Sequence, residues 1–288
     1  MARGAHRPNL PPVLMAPMTL KIASWNINSV RLRIKLVESL LKAHKPDILC
    51  LQETKTPNDL FPAKALNRLG YKHIALHGKK GYHGVAIVSK LPLGDVTTHV
   101  FCDKDDCRHI SVSFRTRNDE PVELHNFYVP AGGDVPNAEE NPKFAHKLAF
   151  LKEMDAFSAR LGDACADKKR IIVGDLNVAP LENDVWSHKQ MLDVISHTPV
   201  EVESLGRVVK AHEWTDLTRA QVPESEKVYT WWSYRARDWQ ASNRGRRLDH
   251  IWASPAMAPS FDKIEIVREA RGWKQPSDHV PILASFNT

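Results

Sequence analysis

The sequence is most restrictive in what it lacks. No window approaches the roughly 18 consecutive apolar residues of a membrane-spanning helix, and the N-terminus has no apolar block of the kind that directs secretion. The chain is therefore expected to remain cytoplasmic, with no membrane partner. Cysteine is scarce: Cys50, Cys102, Cys107 and Cys165 are the 4 present in 288 residues, and none forms a CxxC pair. That excludes a disulfide framework and gives no sequence-local zinc motif, so all are read as reduced thiols. Acidic residues are missing from MARGAHRPNLPPVLMAPM, whose prolines also prevent an amphipathic helix, and residues 1–18 read as a disordered leader. No Pro/Ser/Gly-rich linker, repeat or low-complexity tract divides the remainder, so residues 19–288 are expected to form one domain.

What is present is a soluble composition, 42% hydrophobic and 26% charged, enough apolar material for a large core. The net charge of +6 favours a polyanionic partner. Its basic residues gather in loops (Arg31 and Arg33, Lys79-Lys80, Lys168 to Arg170, Arg244 to Arg247), whereas particular carboxylates stand at strand ends.

LKIASW reads as a strand, the apolar stripe Leu36, Val37, Leu40 and Leu41 as a helix, and DILCLQ as a second buried strand. Further strands are expected at HIAL (73–76), GVAIVS (84–89), HISVSF (109–114) and VELHNFYV (122–129). Pro142 opens a helix whose apolar residues recur every three or four positions to Leu161, leading into RIIVGD. Beyond Asn177 the chain reads as irregular and polar until KVYTWW, RLDHIWAS, DKIEIV and PILASF. Two such halves predict a four-layered α/β sandwich: two mixed sheets packed face to face, with helices outside.

The chemistry-bearing residues recur where those strands end: Asn26 and Asn28, Glu53, Tyr128, Asp175 with Asn177, Asp249, and Asp278-His279. A single strand-end aspartate is usually a turn or cap. Glu53, Asp175, Asp249 and Asp278 together are harder to dismiss, because burying unpaired carboxylates is costly. Neighbouring strands bring such ends to one rim, and an oxygen-rich, cysteine-free cleft suits Mg²⁺, with Mn²⁺ as an alternative. An acidic metal site within a basic protein is the arrangement expected for cutting phosphodiesters. A serine triad from Ser277-Asp278-His279 is excluded, since neighbours in an extended segment point to opposite faces.

SWNINSVR (24–31), LQETK (51–55), GYHGVAIVSK (81–90), NFYVPAGG (126–133), GDLNVAP (174–180), TWWSYR through RLDHIWAS (230–254) and SDHVP (277–281) occur in an order that resembles the exonuclease III-type apurinic/apyrimidinic endonucleases, over residues 19–288. The resemblance implies a DNase I-like fold and a divalent-metal-dependent DNA repair nuclease. Its expected substrates are double-stranded DNA with abasic sites or blocked 3′ ends, attacked by an activated water, and it is expected to act as a monomer. It makes Glu53 the principal metal ligand with Asn26 beside it, Asp175 the group that holds and deprotonates the water, and Asn177 its orienter. Tyr128 would contact the scissile phosphate, Asp249 would fix His279 towards a phosphate oxygen, and Asp278 would support the metal or the leaving group; Asp175, Asn177, Asp278 and His279 are thereby also candidates for the metal's surroundings. DNA contacts are expected from Arg31, Tyr82, Trp231, Arg246 and Leu248, with Trp231 walling a pocket for a flipped abasic sugar and Trp232 in the core. Two positions depart from the family: Ala131, where many relatives carry Asn or Gln, and Arg246, where some place a bulky apolar residue. Two rival readings remain, a nucleic-acid-binding module with structural carboxylates and a phospholipid or inositol-phosphate phosphatase of the same fold.

Overall fold

The computed structural model describes residues 19–164 and 167–288; the leader expected at 1–18, and Cys165, lie outside the described residues. Two six-stranded sheets dominate. The first runs β13 (Phe261–Ile266), β14 (Ile282–Asn287), β1 (Thr19–Asn26), β2 (Ile48–Gln52), β4 (Val85–Ser89), β3 (His73–His77). The second runs β5 (Leu93–Thr97), β6 (His109–Arg115), β7 (Pro121–Tyr128), β8 (Lys169–Asp175), β12 (Asp249–Ala253), β9 (Thr215–Asp216). A small ribbon pairs β10 (Trp231–Trp232) with β11 (Gly245–Arg246).

Each sheet has one parallel pair at its centre, β1 with β2 and β7 with β8, and antiparallel neighbours elsewhere. The central strands are apolar on both faces because both faces are covered. Ile22, Cys50, Ile87, Leu124, Val173, Ile251 and Ala284 fill the space between the sheets. The helix Val30–His44 seals the outer face of the first sheet through Val37, Leu40 and Leu41, while Phe150, Leu151 and Met154 of the helix Pro142–Ala164 pack outside the second with Leu205 and Val208. This is the expected sandwich. Among the described residues, no helix is long and apolar enough to cross a membrane.

The polar segment beyond Asn177 is more ordered than its composition suggests. Pro199–Lys210 is a helix opened by a capping box, in which Thr198 and Glu201 satisfy each other's backbone donors. Its buried residues Glu201, Ser204, Leu205 and Val208 follow helical spacing, but two of them are polar, which hides the stripe from a hydrophobicity reading. Conversely, KVYTWW forms strand only at its two tryptophans. The edge strand β5, LGDVT, lacks an apolar alternation and was not anticipated.

Candidate active site at the strand-end rim

Both central parallel pairs end at the same rim. The C-terminal ends of β1, β2, β7 and β8 meet the N-terminal ends of β12 and β14, so residues far apart in sequence converge. Asp249 lies directly opposite Asp175 in the β12–β8 register, and Tyr128 opposite Asp175 in the β7–β8 register. Gly174 makes the second approach possible: its φ is +151°, and a Cβ there would overlap the backbone of Phe127. The loops beyond β1, β2 and β8 turn through left-handed residues, Asn28 (φ 46°), Glu53 (φ 48°) and Asn177 (φ 54°). Such a conformation is costly for a glutamate; it is held because Ser29 and Val30 donate backbone hydrogen bonds to Glu53 and Thr54.

His279 stands at the centre. Its Nδ1 lies 2.8 Å from Asp249 Oδ2, so Nδ1 carries the proton, and Nε2 faces Asp175 Oδ2 at 3.6 Å. Burial opposes charging this ring, but the Asp249 and Asp175 carboxylates prevail and lift its pKa to about 10. Asp175 responds in the opposite sense: burial pushes it up to about 7 despite the nearby imidazolium, with Asp249 adding repulsion. Asp175 is orientated by amides, from Asn26 Nδ2 at 2.8 Å, Asn177 Nδ2 at 3.1 Å and the Asn177 backbone N–H at 3.0 Å. Burial, reinforced by the Glu53 and Asp175 carboxylates, holds the Tyr128 phenol well above its usual range, so it remains a donor.

Asn26 lies between Glu53 and Asp175. Its Nδ2 donates to both Glu53 Oε1 and Asp175 Oδ2, and its Oδ1 accepts from the Asn28 backbone N–H, which fixes the amide's orientation. It therefore orientates two carboxylates. Asp278 is likewise engaged, one oxygen accepting from Asn28 Nδ2 and the other from Trp231 Nε1, both at 3.0 Å. Burial would raise its carboxyl, but His279 and these donors hold it below the usual range.

Several contributors had no individual signal. Lys55 Nζ pairs with Glu53 Oε2 at 2.8 Å and with Asn28 Oδ1 at 2.7 Å; against the effect of burial, it keeps Glu53 ionised. The Arg108 guanidinium lies 4.8 Å from the Tyr128 ring centroid, and His83 packs edge-on to that ring at 6.1 Å. LQETK and GYHG contain two of these residues, but only the fold shows what they touch.

The expected substrate contacts are unequal. Trp231 is half-buried and Trp232 buried, in keeping with opposite faces. The Arg246 guanidinium sits 5.0 Å from the Trp231 ring centroid. Leu248 is only 4% exposed and shares an apolar cluster with Val185 and Met191, against which Trp231 packs. Arg31 and Tyr82 are exposed beside Asn28 and His83 and do not join the carboxylate cluster.

The donor set fits a hard divalent cation. One atom from each of Asp175, Asp249 and His279 lies within 4.8 Å of the others; His279, as an imidazolium, offers no lone pair, so the carboxylates are the donors, and Asp249 Oδ1 is buried without a hydrogen-bond partner. An orphaned buried carboxylate oxygen is what a cation would satisfy.

Residues 23–279 match the Endonuclease/Exonuclease/phosphatase family. Exodeoxyribonuclease III of Haemophilus influenzae is 28% identical over 93% of this chain and 100% of its own length. DNA repair nuclease APEX1 of Danio rerio is 31% identical over 91% of this chain and 81% of its own. Among solved structures, a 3′ phosphatase from Neisseria bound to a product DNA hairpin superposes with a TM-score of 0.83 at 32% identity, covering 93% of this chain and 100% of that one. An AP endonuclease from Archaeoglobus fulgidus gives 0.83 at 30% identity with the same coverage. With its sheets, rim and motifs in that family's arrangement, the chain belongs to the endonuclease/exonuclease/phosphatase family.

Proposed function

We propose that this protein is a divalent-metal-dependent DNA repair nuclease. It hydrolyses the phosphodiester 5′ to an abasic site and removes nucleotides or blocking groups from 3′ ends of duplex DNA. The observation that carries the reading is the Asp175–His279–Asp249 constellation beside Glu53: a carboxylate whose proton affinity is raised to about 7 sits next to an imidazole fixed by a second carboxylate. A base that titrates near neutral pH is suited to taking a proton from water.

In this scheme Asp175 accepts the proton of the attacking water, with the amides of Asn26 and Asn177 fixing the carboxylate's direction. The new bond joins the water oxygen to phosphorus and the P–O3′ bond breaks. Protonated His279, held by Asp249, and the Tyr128 hydroxyl donate to phosphate oxygens as charge gathers there. Glu53 and Asp175, bridged by the Asn26 amide, would hold Mg²⁺ or Mn²⁺, which would supply Lewis-acid stabilisation of the phosphate and of the departing 3′ oxygen. Asp278 keeps Trp231 and Asn28 in place. Trp231 forms a wall selecting a sugar without its base, since extruding an abasic residue is less costly than extruding a paired nucleotide.

The test is cleavage of an abasic duplex, an intact duplex and a 3′-phosphate-ended duplex with Mg²⁺, Mn²⁺ or chelator, by wild type and Glu53→Ala. Chelator should abolish cleavage, and Glu53→Ala should raise the Mg²⁺ requirement. Turnover of a phosphoinositide with none of the DNA substrates would overturn the assignment.

A further inference from the structure

His77 closes β3, and the register His77–Val85–Gln52 puts it on the same rim as Glu53, two strands away. Beside it lies the segment Phe101–Arg108 that leads into β6. Cys107 belongs to no CxxC pair, but the fold brings His77 to it and to Asp105. One ligand atom from each of His77, Asp105 and Cys107 lies within 4.8 Å of the others.

We propose that His77, Asp105 and Cys107 form a second metal site, for Zn²⁺, that fastens the segment before β6 to the end of β3. The ligand types are suited to zinc: an imidazole, a carboxylate and a thiol, leaving a fourth position for water. A tetrahedral ion with bonds of about 2.0–2.3 Å places neighbouring donors roughly 3.3–3.8 Å apart, and His77 Nε2 is 3.5 Å from Asp105 Oδ1. The ring is already orientated. His77 Nδ1 is 2.9 Å from the His109 carbonyl, which can only accept, so Nδ1 carries a hydrogen and Nε2 is the nitrogen turned to the site. The carboxylate is divided too, with Oδ2 paired to Lys79 and Oδ1 left towards His77. Cys107 is 2% exposed and is a free thiol, in no disulfide. Binding replaces the thiol's proton, which passes to solvent, so one thiolate and one carboxylate balance the ion's charge.

The site has a route to the catalytic rim. Cys107 lies between Asp106 and Arg108, which pair with each other, and Asp106 also faces His83 Nδ1 at 3.7 Å. Arg108 donates to the Tyr128 carbonyl at 3.2 Å while its guanidinium covers the Tyr128 ring. Fixing Cys107 therefore fixes the neighbours of a residue assigned to the phosphate.

Co²⁺ titration of the full chain provides the readout, because the catalytic cluster contributes carboxylates, amides and an imidazole, and only a thiolate gives a sulfur-to-cobalt charge-transfer band. Wild type should show that band at one equivalent, with Zn²⁺ displacing the cobalt. Cys107→Ser should abolish it and Cys102→Ser should retain it. His77→Gln and Asp105→Asn, at less buried positions that test the site even if Cys107→Ser misfolds, should weaken Zn²⁺ in competition by at least about tenfold. Absence of the band, or a band that persists in both Cys107→Ser and His77→Gln, overturns the proposal.

Discussion

Arg247 and Asp249 are two residues apart, yet they enter buried charge clusters of opposite character. Arg247 grips Asp184 with two nitrogens, at 2.7 and 2.8 Å, and reaches Asp216 at 2.7 Å; Arg219 also pairs with Asp184. Burial opposes ionisation in that cluster, but the guanidiniums hold both carboxyls below their usual range. Two aspartates meet two arginines and the charge is balanced. At the rim, Asp175 and Asp249 share a single imidazolium, Asp249 Oδ1 has no partner, and Asp175 is raised to about 7. The first cluster is complete as folded, while the second carries an excess of negative charge that a proton on Asp175 or a bound cation would relieve. Stability and function are thus separated within a few ångströms of the same strand.

Replacing one residue in each cluster is the most forceful way to break that contrast. Asp175→Asn should lower abasic-site cleavage by at least about 1,000-fold, because an amide cannot take the water's proton. The metal-free protein should melt no lower than wild type, since a carboxylate resisting ionisation has been removed. Arg247→Met should do the reverse: it leaves Asp184 with Arg219 alone and takes from Asp216 its guanidinium, and should cost about 3–5 kcal/mol in denaturant unfolding, with near-normal turnover per folded molecule. Equal stability losses in both variants would erase the distinction.

A smaller effect tests whether the rim acts as a unit. His279→Ala and Asp249→Ala should each reduce turnover strongly, while the double variant should be barely worse than His279→Ala, with a coupling of about 2 kcal/mol. Additive losses would mean that Asp249 does not act through His279.

The two clusters should also respond to pH with opposite sign. Asp184 and Asp216 are depressed in the folded state, so their stabilisation is present above the ordinary aspartate pKa and is lost as pH falls through it. Asp175 is raised, so its contribution is present below about pH 4 and is lost as pH climbs through about 7. In metal-free protein, the stability of Asp175→Asn relative to wild type should therefore increase between about pH 4 and 7, by up to about 4 kcal/mol. A pH-independent difference would place Asp175 among ordinary, charge-satisfied carboxylates.

The rim was legible because strand ends announce themselves: an apolar run stops and Asn26, Glu53 or Asp175 follows. The two-sheet sandwich followed from the same runs. What stayed hidden depends on through-space partners. The Asn26 amide points as it does only because Asn28 supplies a backbone donor, and Lys55 matters only because Glu53 turns back towards it. The helix Pro199–Lys210 was obscured by burying Glu201 and Ser204 where a periodicity reading expects apolar residues. Cys107 looked solitary because its neighbours are 30 residues upstream, at His77, and two residues before it, at Asp105.

The smallest expected effect belongs to Arg246, next to Arg247 but on the other side of the contrast. One nitrogen of its guanidinium is already committed to the Ile195 carbonyl at 3.0 Å and Ser196 Oγ at 2.9 Å, and the group lies against Trp231. The side chain is half-buried, which limits its reach to a DNA backbone. A full phosphate contact contributes about 0.9 to the slope of log affinity against log salt; Arg246→Ala should reduce that slope by less. Its main consequence should instead pass through Trp231, whose ring loses the cation beside it, so preference for an abasic over an intact duplex should fall modestly. Trp231→Ala should lower that preference further with the salt slope unchanged. Binding measured at two salt concentrations separates the outcomes: a slope change of a full unit on Arg246→Ala would mean that the arginine leaves Ile195 and Ser196 to grip the backbone.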